Sequence, residues 1–253
     1  MNPGSFSVCF RSFVFYVIFL TSLIPISFIL WTAQIMRPSS TGHYFRLWSR
    51  FLNYMLWKIC RVRIQRTGQP PDHFLPAVLI ANHTGPWETV GFSSLIKTDY
   101  VYVVKKQLIS WKYLFFSMGL RALRPIPVSR DHNAGDFKIM TDESRKRFAS
   151  SLQVLIFPEG TREPASKSVE MSPSGLLLAK KLLCSVQLIF INSEVWSCGT
   201  YFKDYGLIRP GVIHVHFGPL IPAETVSSKK IKELHSIQTG FFQEMISHTP
   251  SSD

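Results

Sequence analysis

With 253 residues, 46 % apolar and only 17 % charged, the chain is long enough to bury one ordinary domain and low in charge for a soluble one. Its formal charge of +12 is uneven: residues 1–71 hold eight Lys or Arg and no acid, leaving a net +4 on the rest. That placement, beside the most apolar segment, argues for anionic lipid headgroups and against nucleic acid as a partner.

Between Arg11 and Arg37 lie 25 uncharged residues, "SFVFYVIFLTSLIPISFILWTAQIM", enough to cross roughly 30 Å of hydrocarbon. A cleaved signal peptide would show a shorter apolar region and a small-residue cleavage site, and "TAQIM" is a poor one. The segment reads as a retained membrane anchor, with Pro25 compatible with a kinked or re-entrant helix as well as a simple span. In the following stretch Phe45, Trp48, Leu52, Met55 and Ile59 recur at helical spacing, while Arg46, Arg50 and Lys58 lie off that stripe. Trp48, Tyr54 and Trp57 are residue types that settle at headgroup level. Such a helix either packs on its own domain or lies in the interface, and its position and lack of acids favour the interface. The seven cations from Arg37 to Arg66 place the folded domain on the cytoplasmic face.

From residue 60 onward, short β-rich runs alternate with helical stretches. The strand candidates are "CRVRIQR", "AVLIAN", "YVYVV", "PIPVS", "LQVLIF", "SVQLIFIN" and "GVIHVHFG". Helices are expected near 87–97, 106–117, 135–149, 174–184 and 228–246. This alternation predicts an α/β fold with a mixed, largely parallel sheet flanked by helices, whose functional groups collect at strand carboxyl ends. The expected division is 1–60 as anchor and interfacial helix, 61–246 as the folded domain, and 247–253 as a disordered tail. The Pro- and Ser-rich loop 163–174 has the composition of a connector or mobile lid. Cys9, Cys60, Cys184 and Cys198 form no C-x-x-C pair, so free thiols are expected, and no metal site.

The first chemical motif is "NHTGPWE". His83 follows an apolar strand, and Pro86 sits where a helix begins, with Glu88 near its first turn. Spacing alone decides nothing, since His248 and Asp253 repeat it in the polar tail. The residues leave two readings open. His83 is a solvated loop imidazole with Glu88 serving free N–H groups, or it is a general base whose other ring nitrogen Glu88 holds. The second motif is "FPEGTR", where Glu159, Gly160, Thr161 and Arg162 emerge from a buried strand. Gly admits close backbone approach and Arg offers a fork of donors to phosphate. Between the two motifs, Arg130 leaves the short strand in "RPIPVSRD", and Lys105-Lys106 and Arg124 add cations.

Together these motifs resemble the glycerolipid acyltransferases, most closely the bacterial 1-acylglycerol-3-phosphate (lysophosphatidate) acyltransferases. "NHTGPWE" looks like their first block, "VVKKQL…MGLRALRPIPVSR" their second, and "FPEGTR" is identical to their third. The likeness spans about residues 48–222. It implies a membrane-bound enzyme of the bacterial inner membrane that moves an acyl group from acyl-CoA or acyl-carrier protein to the 2-hydroxyl of lysophosphatidate, giving phosphatidate, without a cofactor. His83 would be the base and Glu88 its orienting acid, while Arg130, Glu159, Gly160, Thr161, Arg162 and Lys105 would bind substrate. Backbone N–H groups near the glycine turns are expected to serve as oxyanion donors. Three departures are visible: Glu88 in place of the commoner Asp, Ser172-Pro173-Ser174-Gly175 in place of a cation-bearing segment, and no proline in "LIFINSEVW". A second class compatible with the sequence is a membrane-tethered binding protein that keeps the fold without turnover.

Overall fold

The computed structural model of the chain describes residues 3–70, 74–110, 114–129, 134–160, 162, 171–196 and 206–248. All seven expected strands form: β1 (Val62–Thr67), β2 (Ala77–Ala81), β3 (Tyr100–Lys105), β4 (Ile126–Val128), β5 (Gln153–Ile156), β6 (Ser185–Asn192) and β7 (Gly211–Ile221). They make one sheet in the order β1-β7-β6-β2-β5-β3-β4. Five neighbouring pairs are parallel, and β6 with β7 is antiparallel. β2 and β5 are buried at every position. Helices or loops cover both faces of these central strands, so their sequences read as unbroken apolar runs rather than alternations. β1 lies at the sheet's edge and is mostly exposed after Val62, where Arg63, Gln65 and Arg66 keep it polar.

The pairing directions fix which chain ends meet. The carboxyl ends of β6, β2, β5, β3 and β4 share one edge of the sheet. Because β7 runs antiparallel to β6 and β1 follows β7, the starts of β7 and β1 lie on that same edge. The helices are α1 (Pro3–Met36), α2 (Thr41–Met55), α3 (Trp87–Val90), α4 (Leu114–Ala122), α5 (Ala134–Ala149), α6 (Ser174–Leu182), α7 (Ala223–Ser228) and α8 (Ile231–Ser247).

Helix boundaries depart from expectation in three places. The helix expected near 87–97 is only Trp87–Val90, followed by a 3-10 turn over Phe92–Leu95. Instead of one helix over 106–117, a 3-10 turn spans Lys106–Ile109, Ser110 is extended, and α4 continues to Ala122. The helix expected over 228–246 is α8, which starts only at Ile231 because Lys229 and Lys230 are extended, and a separate short helix, α7, precedes it. Of the expected lid, 163–170 lies outside the described residues. So does 249–253 of the expected tail, whereas Ser247 closes α8.

The chain is membrane-associated, and α1 shows how. It runs through Pro25 without a break, and Phe6–Met36 is long and apolar enough to cross a bilayer. One stripe, including Ser12, Phe15, Ile26, Ser27, Leu30 and Ala33, is buried against the domain. Tyr16 donates to the Gly206 carbonyl at 2.6 Å and accepts from Trp196 Nε1 at 2.8 Å. The Ile208 N–H donates to Ser12 Oγ at 2.9 Å, and Ser27 donates to the Phe115 carbonyl at 2.7 Å. Residues 206–208 precede β7, Trp196 follows β6 and Phe115 begins α4, so α1 passes along the shared edge. Its other side exposes Phe6, Phe10, Phe13, Val17, Leu20, Ile24, Phe28 and Ile35. A helix apolar all round is thus accounted for, with protein on one side and lipid on the other.

For α2 the expected face is reversed. Phe45, Trp48 and Leu52 are buried and Met55 and Ile59 pack on the core, so that stripe faces the protein. Trp48 donates to Ser22 Oγ of α1 at 3.1 Å. The outward face carries a second stripe, Tyr44, Leu47, Phe51, Tyr54 and Trp57. The helix therefore packs on its own domain with one apolar stripe and leaves a second one exposed.

Candidate active site

His83 leaves the carboxyl end of β2, and the loop that carries it is held on both sides. Asn82 forms a two-way bridge to β6: its Nδ2 donates to the Ile191 carbonyl at 2.7 Å and its Oδ1 accepts the Ile191 N–H at 2.6 Å. The Asn82 amide thereby continues the β2–β6 ladder by one rung. On the β5 side, the His83 N–H donates to Glu159 Oε2 at 2.8 Å. The imidazole stacks on Phe157, with ring centroids 4.3 Å apart and planes 19° from parallel.

Glu88 is fully buried at the start of α3. Its carboxylate folds back over the turn it follows. Oε1 accepts from the Thr84 N–H at 3.0 Å, Thr84 Oγ1 at 2.8 Å, the Gly85 N–H at 3.0 Å and Ser193 Oγ at 2.8 Å. Oε2 lies 3.0 Å from the Gly85 nitrogen and 3.5 Å from His83 Nδ1. That last distance exceeds a formed hydrogen bond, and Nδ1 has no other hydrogen-bond partner among the described residues. Burial pushes the Glu88 carboxyl up, but the facing imidazole and the Ser193 and Thr84 hydroxyls more than offset it, holding it below its ordinary 4.5. Glu88 is therefore ionised at neutral pH, and it both secures the turn and faces the ring.

The other ring nitrogen meets Arg162, whose Nε donates to His83 Nε2 at 3.4 Å. A donor facing Nε2 and a carboxylate facing Nδ1 favour the same tautomer, with the proton on Nδ1 and the Nε2 lone pair outward. Such an imidazole is arranged to accept a proton from a group outside the fold.

The geometry gives some expected ligands structural work. Glu159 anchors the His83 backbone, which spacing did not suggest. Gly160 has φ +64, and a Cβ there would meet nothing within 4 Å, so its glycine is required by backbone conformation alone. Lys105 ends β3, two strands from β2, which places it about 10 Å along the same edge. Arg130 and Thr161 lie outside the described residues. The glycine-turn N–H groups expected as oxyanion donors are already engaged, Gly85 with Glu88 and Gly160 with the Phe157 carbonyl.

Two contributors were missed in the sequence. Ser193 follows β6 and supplies a hydroxyl to Glu88 from 105 residues away. The available signal was its place after a parallel strand. Asn53 on α2 accepts from Trp87 Nε1 at 2.8 Å and donates to the Gly91 carbonyl at 3.0 Å and Ser94 Oγ at 2.7 Å. It ties the outward-facing helix to the one bearing Glu88.

The turn leaves no room at Gly85, where a Cβ would stand 2.6 Å from the Trp196 carbonyl oxygen and 2.7 Å from Ser193 Oγ. Gly85→Ala is expected to destabilise the protein by about 1–3 kcal/mol through this clash. Gly160→Ala meets only the strain of its positive φ, about 1–2 kcal/mol. Thermal unfolding in detergent, with turnover measured in parallel, should rank Gly85→Ala as the more damaging. The reverse order would mean that the Ser193–Trp196 segment yields readily.

Residues 60–248 match the Acyltransferase family. A Pseudomonas aeruginosa protein named 1-acyl-sn-glycerol-3-phosphate acyltransferase is 29 % identical over 190 residues, covering 74 % of this chain and 70 % of its own. Among solved structures, the 1-acyl-sn-glycerophosphate (LPA) acyltransferase PlsC from Thermotoga maritima shares the fold, with a TM-score of 0.73. The match covers 96 % of this chain and 97 % of that one, at 14 % identity.

Proposed function

Because the chain belongs to the Acyltransferase family, we propose that it moves a fatty acyl group from acyl-CoA or acyl-carrier protein to the sn-2 hydroxyl of lysophosphatidate, yielding phosphatidate. The observation that carries the reading is the His83 ring, held between an ionised, buried Glu88 and a guanidinium, with its Nε2 lone pair outward. Nε2 takes the proton of the acceptor hydroxyl, and the oxygen forms its bond to the thioester carbonyl carbon. Collapse of that adduct breaks the C–S bond, and the imidazolium returns its proton to the leaving thiolate. Glu88 stabilises the imidazolium between these steps. No acyl-enzyme is required, because the acceptor supplies the nucleophile.

In the resting geometry Arg162 occupies the approach to Nε2. The acceptor hydroxyl has to displace it, and the acceptor's phosphate is the group that draws the guanidinium away. Lys105, at the end of β3, extends the cationic side of the site, and Arg130 would join it in binding the acceptor's phosphate. Glu159 and Gly160 form the turn before Arg162, and Thr161 would bind the acceptor alongside them. Residues 1–60 hold the reaction at the bilayer surface and 61–246 perform it, on the cytoplasmic face of a bacterial inner membrane.

The test is an acceptor panel. Membranes containing the protein are supplied with labelled lysophosphatidate, other lysophospholipids or a lyso-aminolipid, each with acyl-CoA or acyl-carrier protein. Phosphatidate should be the dominant product. Faster turnover of an acceptor lacking the terminal phosphate would replace the substrate assignment, and no product with any acceptor would favour a binding protein.

A further inference from the structure

A second cationic feature lies where the chain passes from α2 into β1, away from His83. After α2 the chain makes a π-helical turn, Leu56–Cys60, and Arg61 takes a left-handed conformation (φ 58) that swings it into β1. Beside this bend is an open groove of about 500 Å³, lined by Trp57, Lys58, Arg61, Arg63, Gly211 and Val212. Lys58, Arg61 and Arg63 are exposed, and none has an acidic partner among the described residues. Arg46, on the same helical segment, does pair with Asp99. The Lys58 ammonium sits 5.6 Å from the Trp57 ring centroid, so one wall is both aromatic and positive.

We propose that this groove holds the phosphate of an anionic bilayer phospholipid, bound through Lys58, Arg61 and Arg63 and not consumed in any reaction. Three features select this occupant. Trp57 is 49 % exposed and ends the outward stripe of α2, so the groove opens where headgroups lie. Val62 pairs with Gly211 on the edge that also carries His83, and α1 passes along that edge with its apolar side outward. Finally, β1 is three strands from β2, about 14 Å. A glycerol phosphate reacting at Nε2 cannot reach so far, which makes the occupant a different lipid from the acceptor.

The test uses the full chain in neutral maltoside micelles, with energy transfer from tryptophan to phosphatidylglycerol carrying a pyrene acyl chain. The variant Lys58→Gln/Arg61→Gln/Arg63→Gln is compared with Lys181→Gln/Lys230→Gln/Lys232→Gln. The second set removes the same charge from exposed lysines toward the opposite edge. The groove variant should need at least about tenfold more labelled lipid for half-saturation, and the other variant should match the unmodified protein. Unlabelled phosphatidylglycerol should displace the probe from the unmodified protein, while phosphatidylcholine, inorganic phosphate and coenzyme A should not. Equal loss in both variants, or displacement by phosphatidylcholine, would overturn the proposal, leaving only diffuse charge or apolar contact. Displacement by coenzyme A would assign the groove to the acyl donor, and displacement by inorganic phosphate would make it a site for the free ion. The competition on unmodified protein decides the matter even if the triple variant folds poorly. Binding is read without turnover, so its outcome is separate from that of the acyl-transfer reading.

Discussion

His83→Ala should lower acyl-transfer turnover by about 100- to 10,000-fold, the loss typical of a deleted general base. The fold should survive. The ring stacks on Phe157 but holds up neither neighbouring strand, because the loop's anchors are the Asn82 amide and the His83 N–H to Glu159, and alanine retains that N–H. Glu88 also keeps its donors from Thr84, Gly85 and Ser193. Turnover of labelled lysophosphatidate would therefore collapse while membrane localisation and thermal unfolding change little. Near-normal turnover would end the assignment of His83 as the base.

Replacing Glu88 should damage both chemistry and stability. In Glu88→Gln the new amide has one oxygen and one NH2 group for a site that offers N–H donors on both sides. With its NH2 group toward His83, it can meet Nδ1 only as an acceptor, which moves the ring proton to Nε2 and removes the base. With its oxygen toward His83, it opposes the Thr84 and Gly85 N–H groups with another donor. Either placement is a conflict in a fully buried pocket. Glu88→Gln is expected to lose about 100- to 10,000-fold in turnover through tautomer and orientation and about 2–4 kcal/mol in stability. Glu88→Asp keeps the charge on a shorter arm and should retain more of both. The carboxyl is held below 4.5 in the folded state, so its stabilisation is complete above the unfolded value and is lost as pH falls through the folded one. Acid unfolding should accordingly be less steep below about pH 4.5 in Glu88→Gln. An unchanged acid limb would show that the carboxyl carries no such stabilisation.

The strands were legible because their burial is uniform. "AVLIA" and "QVLI" are apolar or buried throughout, and turn residues bound each run. Helix limits were less so: the extended Ser110 and the Lys229-Lys230 break arise from tertiary packing and leave periodicity intact. In the site, the His83–Glu88 spacing pointed to a pair, yet the same spacing occurs at His248 and Asp253. What separates them is the enclosure of Glu88 by Thr84, Gly85 and Ser193, and the last of these arrives through sheet order. The role of Glu159 was hidden for the same reason, since an acid after a strand reads equally as a ligand or a support. On α2 the sequence showed one apolar stripe without saying what it faces, and the neighbouring α1 is what takes it up, through Trp48 on Ser22.

The contacts of α1 also set a timetable for synthesis. Ser12 and Tyr16 leave the ribosome well before their partners at Ile208 and Trp196, which follow 196 and 180 positions later. At about 5–20 residues per second, the helix waits on the order of ten seconds or more for its docking surface. Its outer face can enter lipid at once, and Ser12 meanwhile bonds within its own helix, to the Val8 carbonyl. The bilayer thus acts as a holding chamber for α1 until β6 and β7 are made, and the contacts along this sheet edge close late.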